Sequence, residues 1–366
     1  MTATLARSSA DAVDAADDHP LVVGVREYAE TVLRPTALRT DRLGVGPDRV
    51  DELRELGLLN HLAPVEKGGL AADRPVDRRV HEILAGACLN TWLVWAQHAP
   101  LVGRLAAGPV DQRVPALFEQ VLRGEVLLGA AISDVRRYPD HFIAATRVVG
   151  GWTFAGTVSW VSGWGLNSAL TVAAVEPGTD TVVTAVVPIT GRIRATPLQL
   201  SAVGGSHTDR VIIDRVFVPD ELVLGTVSVE QWRYDDLGTA SDARAHHFGL
   251  ADAVLAELDR SGRAPARAVA ATWRPRIAEI RSRAYQLADE AAAAGGGRHR
   301  LDERLATKVA SGEALSTITR ALFVARAGRG LTGDDTAQLY ARSALFVLVQ
   351  GQSVDVRDAQ LAELAR

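Results

Sequence analysis

A single cysteine, Cys88, in 366 residues leaves the chain without any internal disulfide or cysteine-rich metal site, and no metal is expected. Charge of either sign is scarcely in excess: 40 Lys and Arg against 44 Asp and Glu leave a net of −4. That balance gives no electrostatic reason to expect nucleic acid or an anionic membrane as partner. No apolar run reaches the length of a membrane span. The first 18 residues, Met1 to Asp18, are rich in Ala, Asp and Ser and lack a continuous apolar stretch. They read as a disordered lead-in rather than a signal peptide, which makes the cytoplasm the default location.

What remains is 47% hydrophobic and 23% charged, the composition of a soluble globular protein of two or three domains. Three regimes follow one another. Residues 19–124 are helical in pattern: Val50, Leu53 and Leu56 share one side of a segment that stops at Gly57, and Gly68-Gly69 after Pro64 forces a loop. Residues 125–228 turn to short runs rich in Val, Thr and Ile, such as Ala169–Val175 and Val211–Val218, separated by Gly and Pro. Residues 229–366 return to helical spacing rich in Ala, Arg, Leu and Glu, broken at Gly295-Gly296-Gly297 and from Gly328 to Asp335.

The most informative stretch is Trp160-Val161-Ser162, which follows Gly156 and runs into Gly163-Trp164-Gly165. A β-run ending in an indole and a hydroxyl can set a flat apolar wall and one hydrogen-bond donor against a planar heterocycle. A tryptophan at a strand end is also a common core or lid residue. Ser133, in Ala131-Ile132-Ser133-Asp134, is equally a turn former. His98, which follows the apolar helix containing Trp92 and Trp95, reads equally as a satisfied core histidine.

The order of these segments resembles the acyl-CoA dehydrogenase superfamily over nearly the whole chain. Trp160-Val161-Ser162 stands for that family's Trp-Ile-Thr/Ser flavin segment, and Ile132-Ser133-Asp134 for its Thr-Glu-Pro turn. Leu56-Gly57-Leu58 with Pro64 to Leu70 is similar to the stretch that opens its active-site cavity, and Val203-Gly204-Gly205-Ser206-His207-Thr208 through Pro219 to its closing strand. The resemblance implies an α+β fold: an N-terminal helical domain, a middle β-barrel domain and a C-terminal four-helix bundle that builds a homodimer or homotetramer. It also implies FAD, or FMN, as cofactor. Ser133, Trp160 and Ser162 would meet the ring and Arg260 the phosphate, from a neighbouring subunit. Trp92, Trp95, His98, Trp164, Gln350 and Gly351 would line the substrate pocket.

The departures from that pattern are as informative. Arg260-Ser261-Gly262-Arg263-Ala264 keeps the family's arginine but loses the Phe and Gly of its Arg-x-x-Phe-Gly segment. Ala327 to Leu331 and Arg342-Ser343-Ala344 fit its Gly-rich loop and Arg-Asp-Ala helix, and Val324 replaces a glutamine ahead of them. The ungapped register then puts Gly351, between Gln350 and Gln352, where the common dehydrogenases carry their catalytic glutamate. Neither glycine nor glutamine can accept a proton from carbon. An alternative base position falls near Thr239, flanked by Asp236 and Asp242, and Asp242 is the candidate there. The resemblance therefore implies a monooxygenase or tailoring enzyme that takes reduced flavin from a reductase and uses dioxygen. Two alternatives stand beside it: an acyl-CoA or carrier-protein thioester dehydrogenase or oxidase, served by an electron-transfer flavoprotein, and a non-redox cyclase or binding scaffold.

Overall fold

Residues 8–107 and 114–366 are described by a computed structural model. Of the expected disordered lead-in, residues 1–7 lie outside the described residues, and the remainder corrects the expectation. Ser9–Ala15 form helix α1, capped by the Ser8 hydroxyl, with Ala10 and Val13 buried against two later helices. The acidic residues that suggested disorder are ion-pair partners: Asp14 meets Arg281 at 2.9 Å, and Asp17 meets Arg26 at 2.6 Å and Arg79 at 2.5 Å.

The N-terminal helices continue through α2 (Pro20–Tyr28), α3 (Arg34–Leu43), α4 (Pro47–Glu55), α5 (Arg74–Ala87), α6 (Leu89–Ala96), α7 (Ala99–Ala106) and α8 (Ala116–Leu122). A π-helical turn, Ala29–Leu33, joins α2 to α3 immediately before Pro35. There the proline ring would clash with the Thr31 carbonyl of an unbroken α-helix, and the wider turn gives it room.

The middle region, expected as a β-barrel, is a single mixed sheet of eight strands: β1 (Leu128–Ala131), β2 (Ala144–Val148), β3 (Gly151–Val161), β4 (Ala169–Glu176), β5 (Thr181–Pro188), β6 (Ile193–Pro197), β7 (Asp209–Pro219) and β8 (Val223–Ser228). Its order is β6-β7-β3-β2-β4-β5-β8, with β1 parallel to β4. Strands β4 and β5 are buried along almost their whole length, as their unbroken Val and Ala runs require. Strand β7 instead alternates buried and exposed residues.

Helix α9 (Val229–Ala240) leads into four long helices, α10 (Ala245–Asp259), α11 (Ala264–Ala293), α12 (Leu301–Arg326) and α13 (Thr336–Val349), followed by α14 (Val354–Leu364). The last carbonyls of α9 are bound by two buried basic side chains from α12. Arg304 donates to Gly238 O, and Lys308 Nζ donates to Ala240 O at 2.6 Å. Burial, with Arg244 close by, pushes the Lys308 amine down to about 7.

The N-terminal and C-terminal helices meet where α5 crosses α10 with two glycines in the seam. A Cβ on Gly249 would lie 1.9 Å from the Glu82 carbonyl oxygen, and one on Gly86 would lie 2.5 Å from Gly249 O. The backbones themselves are in contact, and no side chain fits between them. No helix among the described residues is long and apolar enough to cross a membrane.

Candidate functional site

Trp160 projects from the sheet because β3 bulges there. Val158 pairs with Val211 and Val161 with Asp209, so three steps on β3 oppose two on β7. The extra residue lets Val158 and Val161 both face the core while Trp160 is pushed out, 47% exposed. Beside it the turn Ser133–Arg137 is clamped to the same strand by the buried Asp134. That carboxylate accepts the Ser159 N–H and the Ser159 hydroxyl, both at 2.8 Å. The clamp holds the half-buried Ser133 next to the bulge. Ser162, half-buried and two residues beyond Trp160, has its hydroxyl engaged behind the wall with Thr208 Oγ1 at 2.8 Å. Asn167 Nδ2 donates to the Ser162 carbonyl at 2.9 Å and fixes the turn that carries the half-buried Trp164. The structure thus brings Ser133, Trp160 and Ser162 into one wall.

The other expected residues stand elsewhere in the chain, and Arg260 was expected to act from a neighbouring subunit. Arg260 is the exposed C-cap of α10 and pairs with Glu257 at 3.2 Å. Asp242, the candidate base, is instead a structural ion-pair partner: its Oδ1 accepts from Nε of the buried Arg304 at 2.6 Å, which ties the start of α10 to α12. Gly351 stands in an exposed turn after α13 with φ +62, and a Cβ there would meet nothing within 4 Å. Gln350 is half-buried, and its Oε1 is buried without a partner.

Trp92, Trp95 and His98, expected along a pocket, are packed in the core. Trp95 and His98 are fully buried. Trp95 Nε1 donates to Leu58 O at 2.8 Å. His98 joins two domains: Nε2 lies 2.6 Å from Leu59 O, and Nδ1 accepts the Leu128 N–H at 3.2 Å. Burial outweighs the Leu59 hydrogen bond and pushes the imidazole down to about 4, so the ring is neutral, as that bonding pattern requires. Trp92 Nε1 donates to His81 Nδ1 at 2.9 Å, and its indole packs on His246 with ring centroids 4.3 Å apart.

A buried histidine cluster surrounds these indoles, and sequence reasoning missed it. His61 bonds Asp77 at 2.8 Å and packs on Trp95, His81 packs on both indoles, and His246 packs on His247 at 4.4 Å. His246 Nε2 is buried without a hydrogen-bond partner. Burial, then the neighbouring His247 and Arg244, holds His246 well below the usual imidazole range. The adjacent pair His246-His247 on an apolar helix was the available signal.

Residues 16–118 match the family model described as acyl-CoA dehydrogenase, N-terminal domain. Over that stretch the chain is similar to the acyl-CoA dehydrogenases. The chain is 30% identical over 225 residues to a dibenzothiophene monooxygenase of Rhodococcus qingshengii, covering 58% of this chain and 52% of the relative. It is 25% identical over 215 residues to a mitochondrial isovaleryl-CoA dehydrogenase of Solanum tuberosum, covering 56% and 52%. The chain thus spans about half the length of the curated relatives it matches. A solved acyl-CoA dehydrogenase from Geobacillus kaustophilus superposes with a TM-score of 0.78 at 14% identity, covering 100% of each chain. The superfamily's three-part order of helices, sheet and helices is the order seen here.

Proposed function

We propose that the chain is a flavin-dependent oxidoreductase that oxygenates its substrate with reduced flavin, FAD or FMN, and dioxygen. The observation that carries this reading is the Trp160 wall, a half-exposed indole held out by a bulge with two hydroxyl-bearing residues at its edge. Those residues fit a flavin ring: the indole supplies a stacking face, and Ser133 and Ser162 supply polar contacts at its rim. At the phosphate end Arg260 offers an exposed, permanently charged guanidinium. The bound flavin would supply the redox chemistry and the activation of oxygen.

The chain's own residues would bind the ring, exclude water from one of its faces and orient its edge. Proton abstraction from carbon has no residue to perform it at either expected position, because Gly351 has no side chain and Asp242 is held by Arg304. This favours oxygenation over desaturation, and the likeness to a dibenzothiophene monooxygenase supports the same choice. A flavin reductase is the matching partner. The dense packing of Trp92, Trp95 and His98 supports a second reading, a scaffold without redox chemistry.

The test uses reduced FMN and FAD, and octanoyl-CoA. Reduced flavin is expected to bind and to quench tryptophan fluorescence, and anaerobic octanoyl-CoA is expected to leave the spectrum of protein-bound oxidised flavin unchanged. Anaerobic bleaching by the thioester would instead establish a dehydrogenase. Absence of flavin binding in either redox state would leave the scaffold.

Assembly is a further part of the proposal. Val324, Leu345, Val349, Val354, Leu361 and Leu364 are all exposed on α12, α13 and α14. That much apolar surface on the C-terminal helices supports a homodimer or homotetramer. Light scattering at micromolar concentration is expected to report two or four chains, and a monomer alone would refute this assembly.

A further inference from the structure

Behind the Trp160 wall three hydroxyls form a chain whose direction is forced. Ser206 Oγ lies 2.7 Å from the Val203 carbonyl oxygen and 2.7 Å from Thr208 Oγ1. Thr208 Oγ1 in turn lies 2.8 Å from Ser162 Oγ. A hydroxyl has one proton to give and a carbonyl oxygen has none. The Ser206 proton therefore goes to Val203, the Thr208 proton goes to Ser206, and the Ser162 proton goes to Thr208. On its outer side Ser162 Oγ is left with lone pairs only. The sequence pattern pointed to a donor at this position, and the structure makes it an acceptor.

The chain has little freedom to reverse. Ser206 and Thr208 are buried, so turning either hydroxyl would leave a polar group unpaired away from water. The carbonyl that sets the direction belongs to Val203, held in the left-handed region at φ 49. The loop beyond it is pressed onto α3, where a Cβ on Gly205 would lie 1.9 Å from Thr40 O.

We propose that this wall selects reduced over oxidised flavin, and that Thr208 and Ser206 set the preference by fixing the Ser162 hydroxyl as an acceptor. Dihydroflavin carries an N–H on its central ring where oxidised flavin presents a bare nitrogen lone pair. With that nitrogen set against it, Ser162 Oγ would accept from the first and would meet the second lone pair to lone pair. Ser162 is the contact residue, while Thr208 and Ser206 are positioning residues that act through it. The inference rests on the reading of the Trp160 wall as a flavin site.

Anaerobic titration with FMN and FAD, each oxidised and dithionite-reduced, measures the preference directly. Wild-type protein is expected to bind the reduced form about tenfold more tightly, the value of one well-made hydrogen bond in a partly buried site. In Thr208→Val the Ser162 proton is released to point outward, and the ratio is expected to fall towards one. Thr208→Ser keeps the hydroxyl chain and should keep the ratio, a rescue that a merely structural role for Thr208 does not predict. Ser162→Ala, at a half-buried position, should lose the preference even if Thr208→Val folds poorly. Equal or tighter binding of oxidised flavin by wild type, or an unchanged ratio in Thr208→Val or Ser162→Ala, overturns the inference and leaves the flavin reading standing. Failure of wild type to bind flavin in either redox state overturns both.

Discussion

Acidification from neutrality is expected to unfold the protein before pH 4, because several buried histidines must stay neutral for it to remain folded. His98 is pushed from 6.5 down to about 4 by burial, and His247 down to about 3 by burial and the nearby Lys308. Burial also depresses His246 and His81. Such a group binds its proton more readily in the unfolded chain. Stability therefore rises with pH across the window between the folded and unfolded pKa values, and as pH falls the loss begins near 6.5. For His98 alone the full loss is about 3 kcal/mol, at about 1.4 kcal/mol per pKa unit. His247 adds to it with the same sign, and together they rival the roughly 5–15 kcal/mol that holds a typical domain folded. Carboxylates held low by arginines, such as Asp17, whose burial is outweighed by Arg79 and Arg26, act in the same direction further down the scale. Urea midpoints followed downward from neutral pH measure the slope. A midpoint that stayed level to about pH 5 would remove the buried histidines from the account.

Replacing Glu82 by alanine is expected to cost about 3–5 kcal/mol, the price of breaking a buried ion-pair network from one side. The Glu82 carboxylate, 1% exposed, accepts from Arg79 NH1 at 2.8 Å, from Arg281 Nε at 2.5 Å and NH2 at 3.1 Å, and from the Tyr285 hydroxyl at 2.5 Å. Without it two guanidiniums, each less than a fifth exposed, and a buried phenol face one another with no acceptor between them. The same guanidiniums hold Asp17 and Asp14, so the N-terminal helix should loosen in the same variant. Urea denaturation together with proteolysis near Ser8–Asp18 reads both effects. A loss below about 1 kcal/mol would mean that the network is solvated and worth no more than a surface pair.

The succession of helices, sheet and helices was legible in the sequence because periodicity and composition are local quantities. Trp160 stood out for the same reason, since an indole, a hydroxyl and glycines adjoin in the chain. What was not legible is long-range. The Asp242 carboxylate finds Arg304 only when α10 meets α12, and nothing beside Asp242 in the chain announces that partner. Trp92 and Trp95 lie on a strongly apolar helix and His98 caps the next, and such a pattern assigns burial but not what does the burying. Their partners His61, His81 and His246 come from three separate segments. The acidic N-terminus misled for a related reason. Its Asp residues look solvated until the arginines of α5 and α11 are folded against them. The Ser162 proton is a subtler case, since its direction is decided by a carbonyl 41 residues away, from 203 − 162.

The loop from Ser201 to His207 has a consequence for the engineering of chimaeras. Arg342 on α13 donates to Ser201 O at 3.0 Å and, at 2.7 Å, to Asp41 on α3, whose other oxygen takes Asn90 Nδ2 of α6 at 3.0 Å. The Val45 N–H donates to Gly205 O at 2.9 Å, and His207 Nε2 meets Val45 O at 3.0 Å. A segment of seven residues between two strands is thus a shared keystone whose neighbours belong to both helical regions. The sheet cannot be exchanged as an interchangeable cartridge with that of a relative. A graft that brought its own version of this loop would also have to bring an acceptor for Arg342, a glycine against Thr40 and a ring for Val45, or leave buried polar groups unanswered on both sides of the cut.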